Sequence, residues 1–146
     1  MEYLVGLILA LAVAGSATII GFDRERVFYP VVLIVIASYY VLFAMMESSG
    51  QALTFELIVA SGFLLVAVIG FKRNLWLVVA ALVGHAIFDC VHRLFIVNPG
   101  VPQWWPGFCL TFDAIVGGYL AVLLMTRPNL SLNPNAPPSP VGSLTR

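Results

Sequence analysis

Three side chains capable of chemistry recur at helical spacing within an apolar stretch of the sequence: His85, Asp89 and His92. On an α-helix, which turns by about 100° per residue, all three fall within an arc of about 60°. An imidazole and a carboxylate four residues apart on a helix can chelate one metal ion, and the same pair can take up and return a proton. The spacing therefore indicates a metal site, an acid–base site, or a polar contact that only holds helices together.

Two further carboxylates, Glu56 and Asp113, lie in other apolar stretches. Each could add a metal ligand from a second helix. Without a metal, Asp89 and Asp113 could act as an acid–base pair, because two carboxylates close together in a low dielectric do not both ionise readily. In the purely structural alternative, these aspartates pair with Arg93, with the histidines or with tyrosine hydroxyls and keep the helices in register.

The metal hypothesis places Zn or Fe on His85, Asp89 and His92. The two histidines lie about 10.5 Å apart along a helix axis, so Asp89 would have to bridge two ions. Haem is not expected, because bis-histidine ligation needs imidazoles on opposite faces of the porphyrin and both histidines lie on one side of one helix. Cys109 lies one turn before Asp113 and is a candidate for a thiol that lines the site.

The composition indicates the environment of these residues. Of 146 residues, 61% are hydrophobic and 10% are charged, whereas soluble domains carry about 25% charged residues. The mean hydropathy is +1.01. So few charges cannot cover a surface that faces water, and we therefore expect an integral membrane protein with the lipid bilayer as a partner. Seven Lys and Arg residues balance seven Asp and Glu residues, which leaves no basic surface for nucleic acid.

Five apolar stretches approach the length of about 20 residues that a helix needs to cross a bilayer. We expect an all-α bundle of five transmembrane helices, within a domain of residues 1–127, at 3–21, 28–46, 52–70, 75–97 and 105–126. Residues 128–146 contain five prolines and no aromatic or acidic residue, which predicts a disordered cytoplasmic tail. Gly6, Ala10 and Ala14 form a stripe of small residues that predicts a close helix contact, inside the bundle or in a homo-oligomer.

The distribution of Lys and Arg predicts the orientation. Six of these residues fall in the first and third loops and after the last span: Arg24, Arg26, Lys72, Arg73, Arg127 and Arg146. Because positively charged loops remain in the cytoplasm, we expect the N-terminus outside and the C-terminus inside, in a multi-pass protein of the cell (inner) membrane. Arg93, the seventh, is expected to extend outward from its helix.

Depth in the membrane brings the candidate site residues together. Counted from the outer ends of their spans, Asp89 and Asp113 both lie about 12 Å deep. This match predicts a polar cavity built from spans two to five and open to the outer face. Its candidate catalytic residues are His85, Asp89, His92 and Asp113, and its candidate substrate-binding residues are Tyr39, Tyr40, Glu56, Trp104 and Trp105. Residues 98–104 predict a fixed turn that covers this cavity. Trp104 and Trp105, at the end of this loop, form either an interfacial aromatic belt or a lid that faces substrate.

The stretch from Gly84 to Gly117 carries two resemblances. Its segments His-Ala-Ile-Phe-Asp-Cys-Val-His, Asn-Pro-Gly-Val-Pro-Gln-Trp-Trp-Pro and Phe-Cys-Leu-Thr-Phe-Asp resemble a group of small uncharacterised bacterial integral membrane proteins, which implies no activity. The chain is also similar to EXPERA-type membrane proteins, including sterol isomerases, in which a His and an acidic residue four apart help line an intramembrane cavity. Only His85 and Asp89 correspond, and they imply sterol isomerase activity as an alternative.

These observations together favour an intramembrane enzyme or binding protein for an apolar or amphiphilic, lipid-like small molecule, using His/Asp acid–base or metal chemistry. One alternative is a small transporter or proton-coupled permease, which would act as an oligomer because five helices contain no inverted repeat. The other alternative is a structural membrane subunit without catalysis.

Overall fold

The computed structural model describes residues 1–47 and 49–131. Within this part of the chain, five helices are long and apolar enough to cross a membrane: α1 (Glu2–Ile20), α2 (Phe28–Met46), α3 (Gly50–Lys72), α4 (Trp76–Phe95) and α5 (Trp105–Thr126). A 3₁₀ turn (Phe22–Arg24) joins α1 to α2, and a one-turn helix, α6 (Pro128–Ser131), follows α5. The all-α class is confirmed, and each long helix begins and ends within two residues of its predicted range.

Local sequence features set the ends of these helices. Gly21 ends α1 in the left-handed conformation, with φ 94°, which costs little for a residue that lacks Cβ. The Ser49 hydroxyl accepts a hydrogen bond from the Ala52 N–H at the start of α3, at 3.4 Å. The Asn74 side chain accepts one from the Trp76 N–H at 2.9 Å, where α4 begins. Short polar breaks of this kind make consecutive helices antiparallel.

The helices form an arc in which α1 packs on α5, α5 on α4, α4 on α3 and α3 on α2, with α2 also reaching α4. The stripe of Gly6, Ala10 and Ala14 is buried. A Cβ atom placed on Gly6 would lie 2.5 Å from the carbonyl oxygen of Phe108, so the small residue allows α1 to approach α5 closely. The stripe therefore makes its contact inside the bundle. Helices α1 and α2 make little contact with each other, which leaves a groove between them.

Positive charges gather at one end of the bundle, which we call the arginine-rich end. Arg127 donates a hydrogen bond to the buried carboxylate of Asp23 at 3.4 Å. Arg26 donates to the carbonyl oxygen of Phe71 at 2.9 Å and also to that of Leu130. These bonds tie together the first loop, the end of α3 and α6. The predicted tail begins with α6, and its residues 132–146 lie outside the described part of the chain.

Candidate functional site

A cluster of four polar side chains lies between α2, α4 and α5, close to the middle of α4 and toward the end of the bundle opposite the arginine-rich end. We call it the His85 cluster; its members are Tyr40, His85, Asp89 and Asp113. The Nδ1 atom of His85 lies 2.7 Å from Oδ2 of Asp113 and 3.4 Å from Oδ2 of Asp89. All four side chains are at most 2% exposed. The imidazole nitrogen therefore faces two carboxylates that are shielded from solvent.

Tyr40 connects this cluster to α2. Its hydroxyl donates a hydrogen bond of 2.6 Å to Oδ1 of Asp89. The ring of Phe63 meets the His85 imidazole edge to face, with centroids 4.8 Å apart. These contacts fix the orientation of the aspartate and of the imidazole ring, because each group packs against a side chain of another helix.

Two carboxylate oxygens of the cluster have no hydrogen-bond partner among the described residues. They are Oδ2 of Asp89 and Oδ1 of Asp113. Buried polar atoms are nearly always paired with protein, with water or with an ion. The cluster therefore has unused acceptor capacity in a place where leaving it unused costs free energy.

A second polar cluster lies farther from the arginine-rich end, toward the end of the bundle where the chain begins. Its members are Glu56 on α3, His92 on α4 and Asn98 in the α4–α5 loop, and we call it the His92 cluster. Nε2 of His92 lies 2.7 Å from Oε1 of Glu56, and the Asn98 amide donates to the same oxygen at 2.9 Å. The rings of Tyr40 and His92 lie against each other at 4.3 Å. Tyr40 thus contacts both clusters.

The α4–α5 loop is held over the His92 cluster by its own turn. The Asn98 amide also donates to the carbonyl oxygen of Tyr40 at 3.1 Å, and its side-chain oxygen accepts from the Gly100 N–H at 3.2 Å. Gly100 packs against the carbonyl of Phe43 so closely that a Cβ atom would collide with it. The loop is therefore a fixed turn, as its sequence predicted, and it covers this end of α2.

A polar pocket of about 350 Å³ lies between the start of α1, α4 and the start of α5, and Asp89 forms part of its wall. Glu2 and Tyr3 of α1, Cys90 and Arg93 of α4, and Gln103, Pro106, Gly107 and Leu110 complete its lining. The predicted cavity was built from spans two to five. The observed pocket is lined by α1, α4, α5 and the α4–α5 loop, with no residue of α2 or α3, because α1 packs on α5. The pocket lies beside the His85 cluster, whose carboxylates remain buried behind its wall.

An apolar groove of about 490 Å³ lies on the other side of α1, between α1 and α2. Its walls are mainly Val, Leu and Ile side chains. Near the start of α5 it is lined by aromatic residues: Tyr39, Trp104, Trp105 and Phe108. Cys109 and Phe112 of α5 also line it. Cys109 is buried and lies one helical turn before Asp113 on α5. The groove and the His85 cluster therefore lie beside neighbouring turns of α5.

The structure groups the predicted site residues differently from their linear spacing. Asp113, rather than His92, joins His85 and Asp89, because His92 faces α3 and pairs with Glu56. Arg93 is exposed and donates to the carbonyl of Pro102 at 3.4 Å, so it does not hold the aspartates as the structural alternative supposed.

The adjacent aromatic residues also divide. Tyr40 is buried in the His85 cluster, whereas Tyr39 contacts Trp105 in the wall of the apolar groove, with ring centroids 5.0 Å apart. Trp104 is 51% exposed and Trp105 is 8% exposed. The sequence predictions did not include Asn98. Its position before a Pro-Gly turn was visible, but its contact with Glu56 depends on how the loop folds back.

Comparisons with protein-family models, with curated proteins and with solved structures found no match to this chain. The site is therefore interpreted from its own geometry.

Proposed function

We propose that the protein is an intramembrane enzyme or binding protein for an amphiphilic, lipid-like small molecule. The observation that carries this proposal is the position of the His85 cluster. Cys109 lines an apolar groove one helical turn before Asp113 of the cluster, and Asp89 of the cluster forms part of the wall of a polar pocket. A molecule with an apolar body and a polar end requires both environments next to each other.

The groove suits the apolar part of such a molecule. Its wall is almost wholly apolar, and it opens between two helices whose outer faces carry exposed hydrophobic side chains such as Ile8 and Val31. A ligand could therefore reach it from the hydrocarbon region. Trp105 adds a buried indole N–H without a partner among the described residues, which can donate to a polar group of the ligand.

The His85 cluster supplies the chemistry in this proposal. A histidine flanked by carboxylates can take and return a proton at a ligand atom, and the same three groups can instead hold a metal ion that polarises a ligand oxygen. Either use explains why costly ionisable groups lie within membrane-length helices.

The proposed setting is the cell inner membrane, with the N-terminus outside. The grouping of basic residues at the arginine-rich end supports this orientation, because basic loops remain in the cytoplasm. The polar pocket then opens to the outside and the apolar groove opens to the outer half of the bilayer.

Photo-crosslinking in lipid nanodiscs tests the proposal, with a diazirine-bearing long-chain fatty alcohol as probe. Val35 lines the groove and is 47% exposed, so Val35→Trp should fill the groove and abolish crosslinks to peptides that contain Trp105 or Cys109. The matched control is Val68→Trp, at an exposed valine of α3 outside the groove lining, which should crosslink as the unmodified protein does. Equal labelling of both variants at these peptides would show that the groove is ordinary lipid-facing surface.

A further inference from the structure

The His85 cluster has more acceptors than donors. Its two carboxylates present four oxygens, of which Oδ1 of Asp89 receives the Tyr40 hydroxyl. A proton on Nδ1 of His85 can be donated to Oδ2 of Asp113, at 2.7 Å. Oδ2 of Asp89, at 3.4 Å from the same nitrogen, then has no hydrogen-bond donor. Oδ1 of Asp113 has no partner among the described residues. A single proton therefore does not satisfy this arrangement.

We propose that His85, Asp89 and Asp113 bind one divalent transition-metal ion of the zinc class, in the position that a proton on Nδ1 would otherwise occupy. The ion would serve as the cofactor of the site described above, so the inference rests on the proposed function. One imidazole nitrogen and two carboxylate oxygens are ligands that Zn²⁺ and Fe²⁺ accept, and three protein ligands leave a coordination position for water or substrate.

The separations of the ligand atoms fit a shared ion. One ligand atom from each of the three residues lies within 4.8 Å of the other two. Bonds of about 2.0–2.2 Å to a common ion place ligand atoms about 3–4 Å apart. Two of the separations, 2.7 and 3.4 Å, already lie close to this range. For one ion to bind all three residues, the pair at 2.7 Å must move apart by a few tenths of an ångström, and any separation near the 4.8 Å limit must shorten.

Tyr40 supports the ligand set from outside it. Its hydroxyl binds Oδ1 of Asp89 at 2.6 Å and leaves Oδ2 of that carboxylate toward His85. Metal-binding carboxylates are commonly held in this way by a hydrogen bond to their second oxygen. Oδ2 of Asp89 and Oδ1 of Asp113, on side chains at most 2% exposed, accept no hydrogen bond from the described residues, so both carboxylates retain an oxygen that can bind a cation.

Charge balance favours the ion as well. Two carboxylates buried with one neutral imidazole carry two negative charges, and uncompensated buried charge is costly. A divalent ion neutralises both. A polar pocket lined by Glu2 and Asp89 lies beside the cluster.

Metal titration of the full-length protein in detergent tests the inference. The protein is stripped with a chelator and titrated with Zn²⁺ alone and, separately, with Co²⁺ as a spectroscopic probe. We expect one ion per chain and a Co²⁺ visible spectrum typical of nitrogen and oxygen ligands. Asp113→Asn and Asp89→Asn should weaken binding more than about 100-fold, beyond the 10–100-fold loss typical of outer-shell changes. The matched control Glu25→Gln, which removes an exposed carboxylate of the first loop, should bind as the unmodified protein does.

Absence of Zn²⁺ and Co²⁺ binding by the unmodified protein overturns the inference, and so does binding by Asp113→Asn and Asp89→Asn that is as tight as binding by Glu25→Gln. If the aspartate variants fail to fold, Tyr40→Phe replaces them: a loss of about 10–100-fold supports the site, and unchanged affinity overturns it. Crosslinking in the groove needs no metal. A protein that binds the fatty alcohol but no ion therefore contradicts only this inference, whereas one that binds the ion but not the alcohol contradicts only the proposed function.

Discussion

His85 and Asp113 face each other across the interface of α4 and α5, with 2.7 Å between Nδ1 and Oδ2. Their proximity depends on how closely these two helices pack. One turn beyond Asp113, Gly117 is buried against α4, and a Cβ atom on it would lie 3.2 Å from Cβ of Leu82. A small residue at this position therefore keeps the two halves of the site within bonding distance.

The first prediction concerns this helix contact. Gly117→Leu should push α5 away from α4 and lower the free energy of unfolding by about 1–3 kcal/mol, because overpacking forces the backbone to move. Thermal unfolding in detergent measures the effect. The neighbouring Gly118 is exposed and has open space around it, so Gly118→Leu should cause no loss, since leucine favours a helix over glycine by up to about 1 kcal/mol. Equal losses in both variants would contradict the close contact at Gly117.

The second prediction concerns the hydroxyl of Tyr40. Tyr40→Phe leaves Oδ1 of Asp89 buried without its donor, and we expect a loss of about 1–3 kcal/mol in the free energy of unfolding. Tyr39→Phe is the matched control, because Tyr39 is 38% exposed and its neighbours are the aromatic rings of the groove. This change should remain within about 0.5 kcal/mol of the unmodified protein. A Tyr40→Phe variant as stable as its control would mean that the hydroxyl does not bind a buried carboxylate.

The third prediction concerns the turn between α4 and α5. Asn98→Ala removes the donors to Glu56 and to the Tyr40 carbonyl, so we expect a loss of about 1–3 kcal/mol and faster proteolysis within residues 96–104. Gln103→Ala, at an exposed side chain of the same loop, provides the comparison and should leave both stability and proteolysis unchanged. Similar proteolysis of the two variants would show that Asn98 does not hold the loop.

The fourth prediction concerns the stripe of small residues on α1. Ala10 is fully buried, so Ala10→Leu should overpack the contact with α5 and lower the free energy of unfolding by about 1–3 kcal/mol. Ala12→Leu, on the exposed face of the same helix, should have no such effect. If both variants melt at the temperature of the unmodified protein, the stripe does not make the observed contact.

The fifth prediction concerns orientation in the membrane. A reporter fused after Arg146, or inserted beside Arg73, should be active only in the cytoplasm, because both positions belong to the basic side of the chain. A reporter inserted between α2 and α3 should be active only outside. The reverse pattern would place the polar pocket on the cytoplasmic side and contradict the proposed orientation.

The sequence alone was sufficient for the class of this protein and the number of its long apolar helices. Both follow from the lengths of apolar stretches, which depend on neighbouring residues only. The helical phase of His85 and Asp89 was likewise readable, since positions four apart on one helix share a face whatever the helix packs against. The same local information placed the turn at Pro99 and Gly100.

Only the tertiary structure decided which polar groups meet. Helical spacing grouped His92 with His85, but α4 turns His85 toward Asp113 of α5 and His92 toward Glu56 of α3. The separation of Tyr39 from Tyr40 and the contact of Asn98 with Glu56 are of the same kind. Partners on different helices depend on the rotation and tilt at which those helices pack, and apolar side chains of similar size allow several such arrangements. Periodicity within one helix therefore identifies the face that carries a site but not the residues that complete it.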